Sequence, residues 1–139
     1  MPDKVFFDSN VLIYAMVSGD SRRDRAQQLI ANGGTISVQV LNEFVAIARR
    51  KMRMPWEEVI EAVEAIRILF PSPVAITLEA HERALKIAQQ YGFSIYDALI
   101  ASSALEGRCS TLYSEDLQDG QIVEGRLTIR NPFRRETDS

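Results

Sequence analysis

Cysteine and histidine are almost absent from this chain, with one of each, Cys109 and His81, in 139 residues. A lone cysteine excludes an internal disulfide, and one that abuts an apolar segment reads as a small core thiol. A single histidine leaves no second imidazole for a zinc site or a histidine-based triad. His81 stands among Glu79, Glu82 and Arg83 in a helical run and is expected at the surface. No uninterrupted apolar run approaches the ~20 residues of a membrane helix. Asp3 and Lys4 precede only a short apolar run, unlike a signal peptide. These absences predict a cytoplasmic protein without membrane contact. No Gly-rich phosphate loop of the Walker or dinucleotide kind is present, and no repeat or low-complexity linker. Excess charge is also lacking: 19 acidic and 16 basic residues leave a net charge of −3. That excludes a protein that coats nucleic acid by bulk charge; any such contact must come from local basic patches or a bound metal.

What is present is an ordinary globular composition, 46% hydrophobic and 25% charged. A single domain over 1–133 with a polar tail, 134–139, is expected. Val5-Phe6-Phe7 reads as a short strand buried on both faces. Further strands are expected at Thr35–Val38, Val74–Ile76, Thr111–Tyr113 and, marginally, Leu127–Ile129. Between them lie helical patterns. One opens with a Ser21/Asp24 capping box and ends at Asn32-Gly33-Gly34; the next runs from about Val40 to Lys51. Pro55 and Pro71 bracket a third, whose apolar residues are Val59, Ile60, Val63, Ile66, Ile68, Leu69 and Phe70. Helices from Leu78 to Tyr91 and from Ser94 to Gly107 follow. Strands alternating with helices predict an α/β class, a three-layer domain with a mostly parallel sheet of four or five short strands flanked by helices.

Four acids fall in comparable settings on this frame. Asp8 and Asp116 come directly after apolar strands; Glu43 and Asp97 lie in the first turn or so of helices. Strand C-termini and helix N-termini can meet at one edge of a parallel sheet, where ligands bind. Each acid also has a plainer explanation: Asp8 as a helix cap, Asp97 as the acidic partner of a capping box with Ser94. Glu43 has less of one. It borders the apolar stripe of Val40, Leu41, Phe44, Val45 and Ala48, a poor place for a carboxylate without a partner. Four converging carboxylates would repel and raise one another's pKa, so a cation is needed. Oxygen ligands without His or Cys favour Mg2+ or Mn2+ over zinc, ions suited to in-line phosphodiester displacement.

With these residues in view, the chain resembles the PIN-domain ribonucleases, particularly the VapC-type toxins of toxin–antitoxin pairs. The resemblance rests on Phe7-Asp8-Ser9-Asn10-Val11-Leu12, Val40-Leu41-Asn42-Glu43-Phe44 and Tyr96-Asp97-Ala98-Leu99-Ile100-Ala101. It continues through Leu112-Tyr113-Ser114-Glu115-Asp116-Leu117 and Asn131-Pro132-Phe133. It implies a metal-dependent RNA hydrolase with Asp8, Glu43, Asp97 and Asp116 as the acidic set and Ser9, Asn10 and Ser114 as polar support beside the metal. It also implies homodimers and a cognate antitoxin inserting a segment over the active site. Asp119 is better explained by its turn with Gly120 than by a metal-site role.

Two basic clusters could hold RNA phosphates: Arg22, Arg23 and Arg25, and Arg49, Arg50, Lys51 and Arg53. Helix-dipole complementarity explains the second cluster well, near a helix end, and the first badly, near a helix start. Two other readings stand beside the nuclease. One is phosphoryl transfer through an acidic pocket, which calls for a late lysine, whereas the last is Lys86. The other is a non-catalytic PIN-like binding module, against which the four intact acids argue.

Overall fold

The computed structural model describes residues 4–17 and 19–134; apart from Arg134, the polar tail expected over 134–139 lies outside them. Strand β1 (Val5–Phe7) puts Phe6 and Phe7 on opposite faces of the sheet, and both are fully buried. A sheet must be covered on both sides for that, so helices flank it in a three-layer α/β arrangement. Strands β2 (Thr111–Tyr113), β3 (Ile122–Val123) and β4 (Leu127–Arg130) complete a four-stranded sheet of order β1-β2-β4-β3. β1 pairs in parallel with β2, Phe6 opposite Leu112, and β2 in parallel with β4, Leu112 opposite Ile129. β3 runs antiparallel to β4 and was not foreseen, because two residues are too few to display an alternating pattern. Its hairpin turns through Glu124 (φ 52°) and Gly125 (φ 66°), a left-handed pair that matches strand twist.

Among the described residues six helices follow or intervene: α1 (Ser9–Met16), α2 (Arg23–Ala31), α3 (Val38–Arg50), α4 (Trp56–Leu69), α5 (Leu78–Tyr91) and α6 (Ile95–Glu106). Thr77 and Ser94 accept hydrogen bonds from Ala80 N and Asp97 N and so cap α5 and α6. Gly92, at φ 74°, ends α5 in the left-handed conformation. Cys109 is buried and His81 exposed, as composition and context predict.

Several local expectations need correction. Thr35–Val38 and Val74–Ile76 are not strands but single bridges, Phe6 to Thr35 and Ser37 to Val74. The first is cut short because Ser37 caps α3, its Oγ accepting from Val40 N at 3.2 Å, so the helix takes Val38 onward. The Ser21/Asp24 capping box does not form; α2 starts at Arg23, and Asp20 Oδ1 accepts from Arg22 N at 2.9 Å. On α4, Val59 and Ile66 are buried with Phe70 just beyond, but Ile60, Ile68 and Leu69 face solvent.

Because β1, β2 and β4 are parallel, their C-termini share one edge. The ladder runs past the strands there: Asp8 N donates to Tyr113 O and Ser114 N to Arg130 O, both at 3.0 Å. Asp8 and Ser114 are thereby set side by side. Along the free edge of β1, Gly34 lies so close to the strand that a Cβ would run into the Phe7 ring and Val5. Gly34→Ala is therefore expected to destabilise the fold by about 1–3 kcal/mol through overpacking. A urea titration measures this; an unchanged midpoint would show that the Phe7 ring yields freely.

Candidate active site

Asp8 stands where β1 hands over to α1, and it is both cap and site residue. Its Oδ1 accepts from Ser9 N at 2.7 Å and from Ser9 Oγ at 3.4 Å; its Oδ2 accepts from Ser114 Oγ at 2.8 Å. Ser114 Oγ in turn accepts from Asp116 N at 3.2 Å. Asn10, one residue into α1, closes the circuit: its Nδ2 donates to Asp116 Oδ2 at 3.2 Å and its Oδ1 accepts from Glu115 N at 3.4 Å. Ser9, Asn10 and Ser114 are thus neutral braces between the corner after β1 and the loop after β2.

Glu43 and Asp97 reach the same edge from α3 and the first turn of α6. Glu43 Oε2 is buried and has no hydrogen-bond partner among the described residues. Burial, then the charges of Asp8, Asp97 and Asp116, push the Glu43 carboxyl up to about 8. Asp8 is raised to about 6, by burial foremost, against the opposing bonds from Ser114 and Ser9 and with the charges of Asp116 and Asp97 adding to the rise. Asp97 is raised by burial and by Asp116, less the bond with Ser94. The four acids expected from the sequence therefore feel one another's charge across one edge of the sheet.

Among the described residues, no three acidic, imidazole or thiolate groups stand in a ready-made metal-ligand cluster. The fit to a divalent cation is one of chemistry and charge. Every donor is a hard oxygen, one buried carboxylate oxygen has no partner among the described residues, and burial, with the neighbouring charges adding to it, disfavours the ionised forms of Asp8 and Glu43. The residues that could hold such an ion are Asp8, Glu43, Asp97 and Asp116.

The model of the PIN domain family matches residues 5–118. This chain belongs to the PIN-domain family. No curated protein sequence matches it significantly. Among solved structures, a toxin–antitoxin complex from Klebsiella pneumoniae is similar over 95% of this chain and 100% of that one, at 21% identity and TM-score 0.71. VapC20 of Mycobacterium tuberculosis, described as a sarcin-ricin loop cleaving toxin, covers 81% of this chain and 90% of its own, at 22% identity and TM-score 0.63. VapBC2 from Rickettsia felis, bound to a promoter DNA fragment, covers 91% and 98% at 17% identity and TM-score 0.61. At these identities the likeness is one of fold.

The PIN domain keeps some of its arginines occupied. Arg22 pairs with Asp20 at 2.6 Å and with Glu115 at 2.8 Å, and its guanidinium lies 4.2 Å from the centre of the Tyr14 ring. Tyr14 donates to Glu115 at 2.6 Å, and burial together with that bond pushes its hydroxyl up to about 12. This clamp beside Asp116 was not foreseen; the adjacent Glu115 was visible in the sequence, but nothing local ties it to Tyr14 and Arg22. Arg25 donates to Pro132 O, and Arg49 donates to Met54 O while lying over Trp56. Arg23, Arg50 and Arg53 are exposed. Asp119 lies outside the acidic group: it accepts from Asn131 N at 2.8 Å and pairs with Arg134 at 3.2 Å.

The raised carboxyls set a pH dependence. The folded PIN domain binds the Asp8 and Glu43 protons more tightly than the unfolded chain, where they leave near pH 4. Their contribution to stability is thus whole below that value and is lost as pH rises through about 6 and then about 8. In chelator, the melting temperature is expected to fall between pH 5 and pH 8, and Glu43→Gln to flatten the upper part of that fall. A melting temperature that rises across this window would contradict the assignment.

Proposed function

We propose that this PIN domain is a ribonuclease, hydrolysing RNA phosphodiester bonds with Mg2+ or Mn2+, and that it serves as the toxin of a toxin–antitoxin pair in the cytoplasm. The observation that carries the reading is the unpartnered, buried Glu43 Oε2 in an all-carboxylate group. A fold with no use for a cation would gain by replacing such a group with an apolar one.

In this reading Ser9 and Ser114 aim the two oxygens of Asp8, while Asn10 fixes Asp116. Hydrolysis requires water to lose a proton as its oxygen bonds to phosphorus. The bond from phosphorus to the leaving ribose oxygen breaks, and that oxygen takes a proton from solvent. The carboxylates orient that water, and its proton passes to solvent as the oxygen–phosphorus bond forms. A divalent cation held by Asp8, Asp97, Asp116 and Glu43 would supply positive charge to the attacking and leaving oxygens. Arg23, Arg50 and Arg53, exposed and in no ion pair among the described residues, are the arginines left to hold RNA phosphates.

The partners that go with this reading are a cognate antitoxin and a second copy of the chain. It draws support from the toxin–antitoxin complexes of similar fold. The exposed Ile60, Ile68 and Leu69 on α4, with Leu78 and Leu85 on α5, offer apolar surface for such contacts.

The purified protein is expected to cut single-stranded RNA in Mn2+ or Mg2+ and to stop in chelator. Asp8→Asn and Asp97→Asn, checked for fold by circular dichroism, are expected to slow cutting by roughly a hundred-fold or more. Full activity in either folded variant, or cutting indifferent to chelator, would overturn the reading.

A further inference from the structure

Beside the acids, α3 and the first turn of α6 line an open cavity of about 470 Å3, formed by Gln39, Asn42, Glu43, Ala46, Arg50 and Tyr96. The size lies within the roughly 300–1,000 Å3 of small-ligand sites. Five of these residues follow one stripe of α3, at spacings of three, one, three and four, so they present a single helix face to the cavity. Tyr96 flanks it from the first turn of α6.

Three features make this more than a surface hollow. Glu43 belongs to both cavity and acidic group, and its buried Oε2 is unpartnered, so the cavity begins where the site for the scissile phosphate ends. Tyr96 directly precedes Asp97 yet is 63% exposed, an aromatic face left to solvent at the mouth of the site. Gln39, Asn42 and Arg50 make no side-chain hydrogen bond or ion pair among the described residues, whereas Arg22, Arg25 and Arg49 are engaged. An aromatic plate flanked by uncommitted amides and a guanidinium matches an unpaired nucleobase, which offers a π-face and a hydrogen-bonding edge.

We propose that this cavity is a nucleotide subsite that stacks the unpaired base next to the scissile phosphate on Tyr96 and reads its edge with Gln39 and Asn42. Arg50, at the far end of the same helix face, takes the following phosphate. A base paired in a duplex cannot present its face to Tyr96, so the subsite selects single-stranded RNA. Amides of Asn and Gln pair best with adenine through its N6 and N7, which makes adenine the preferred occupant.

The inference rests on the nuclease reading above, and two measurements separate them. In an Asp8→Asn background, binding of labelled single-stranded RNA is followed by fluorescence anisotropy. Tyr96→Leu is expected to weaken it roughly ten-fold or more while Tyr96→Phe preserves it. With Asp8 intact, cleavage of a mixed-sequence RNA is sequenced. Tyr96→Leu is expected to raise KM more than it lowers kcat, and Gln39→Ala with Asn42→Ala to erase the adenine preference at the cut. Tyr96 is exposed, so these variants should melt like the parent protein. Binding lost in Tyr96→Leu but no cutting by the parent protein would keep the subsite and reject the nuclease. Cutting by the parent protein with KM, binding and base preference unchanged in the variants would keep the nuclease and reject the subsite.

Discussion

The burial of neighbouring carboxylates at one edge of a parallel sheet is the constraint on which the rest of this structure turns. The register of β1, β2 and β4 brings strand ends together, and Asp8 and the loop carrying Asp116 come with them. Helices α3 and α6 add Glu43 and Asp97. Concentrating these groups raises the proton affinity of three of them, with burial the leading cause each time. A fold that holds such charge without relief is less stable than it would be with apolar residues in their place. The arrangement makes physical sense as one completed by a cation.

How the fold tolerates the strain is visible in the bracing. Around Asp8 and Asp116 the direct partners are neutral: Ser9, Asn10 and Ser114 hold the carboxylates in place without cancelling their charge. Positive charge is kept one residue away. Arg22 is taken up by Asp20, Glu115 and the Tyr14 ring, and so stiffens the loop before Asp116 without entering the acidic group. Such half-exposed pairs add little stability; their value is in position. Helix α3 likewise joins two duties, its carboxylate facing the acids and its amides and Arg50 facing the neighbouring cavity.

Much of this was legible from residue patterns. Two apolar runs ending in carboxylates, Phe7-Asp8 and Tyr113-Ser114-Glu115-Asp116, mark strand ends because strands buried on both faces must be apolar and short. Ser94, Pro55 and Gly92 set helix ends by local chemistry, and those boundaries agree closely with the structure. What failed was decided by tertiary contact. Thr35–Val38 has strand composition, but Ser37 found a better role as a cap. Ile60 and Ile68 carry a helical apolar pattern that the core leaves in solvent. Glu43 stood out as an uncomfortable carboxylate at the edge of an apolar stripe, but its lack of any partner could be known only once α3 met the sheet edge. The arginine clusters differed in sequence only by their place near a helix start or a helix end; which members are engaged was decided by contacts, Glu115 for Arg22, Pro132 for Arg25 and Met54 for Arg49.

The most direct test of unrelieved negative charge is the proton count when a divalent ion enters. Titration of the metal-free protein with Mn2+ at pH 7, by calorimetry in buffers of differing ionisation enthalpy, reads that count. With Glu43 raised to about 8 and the other acids nearby, binding should expel about one proton, and Glu43→Gln should expel markedly less. Mn2+ binding with no proton released, or the same release from Glu43→Gln, would contradict the account.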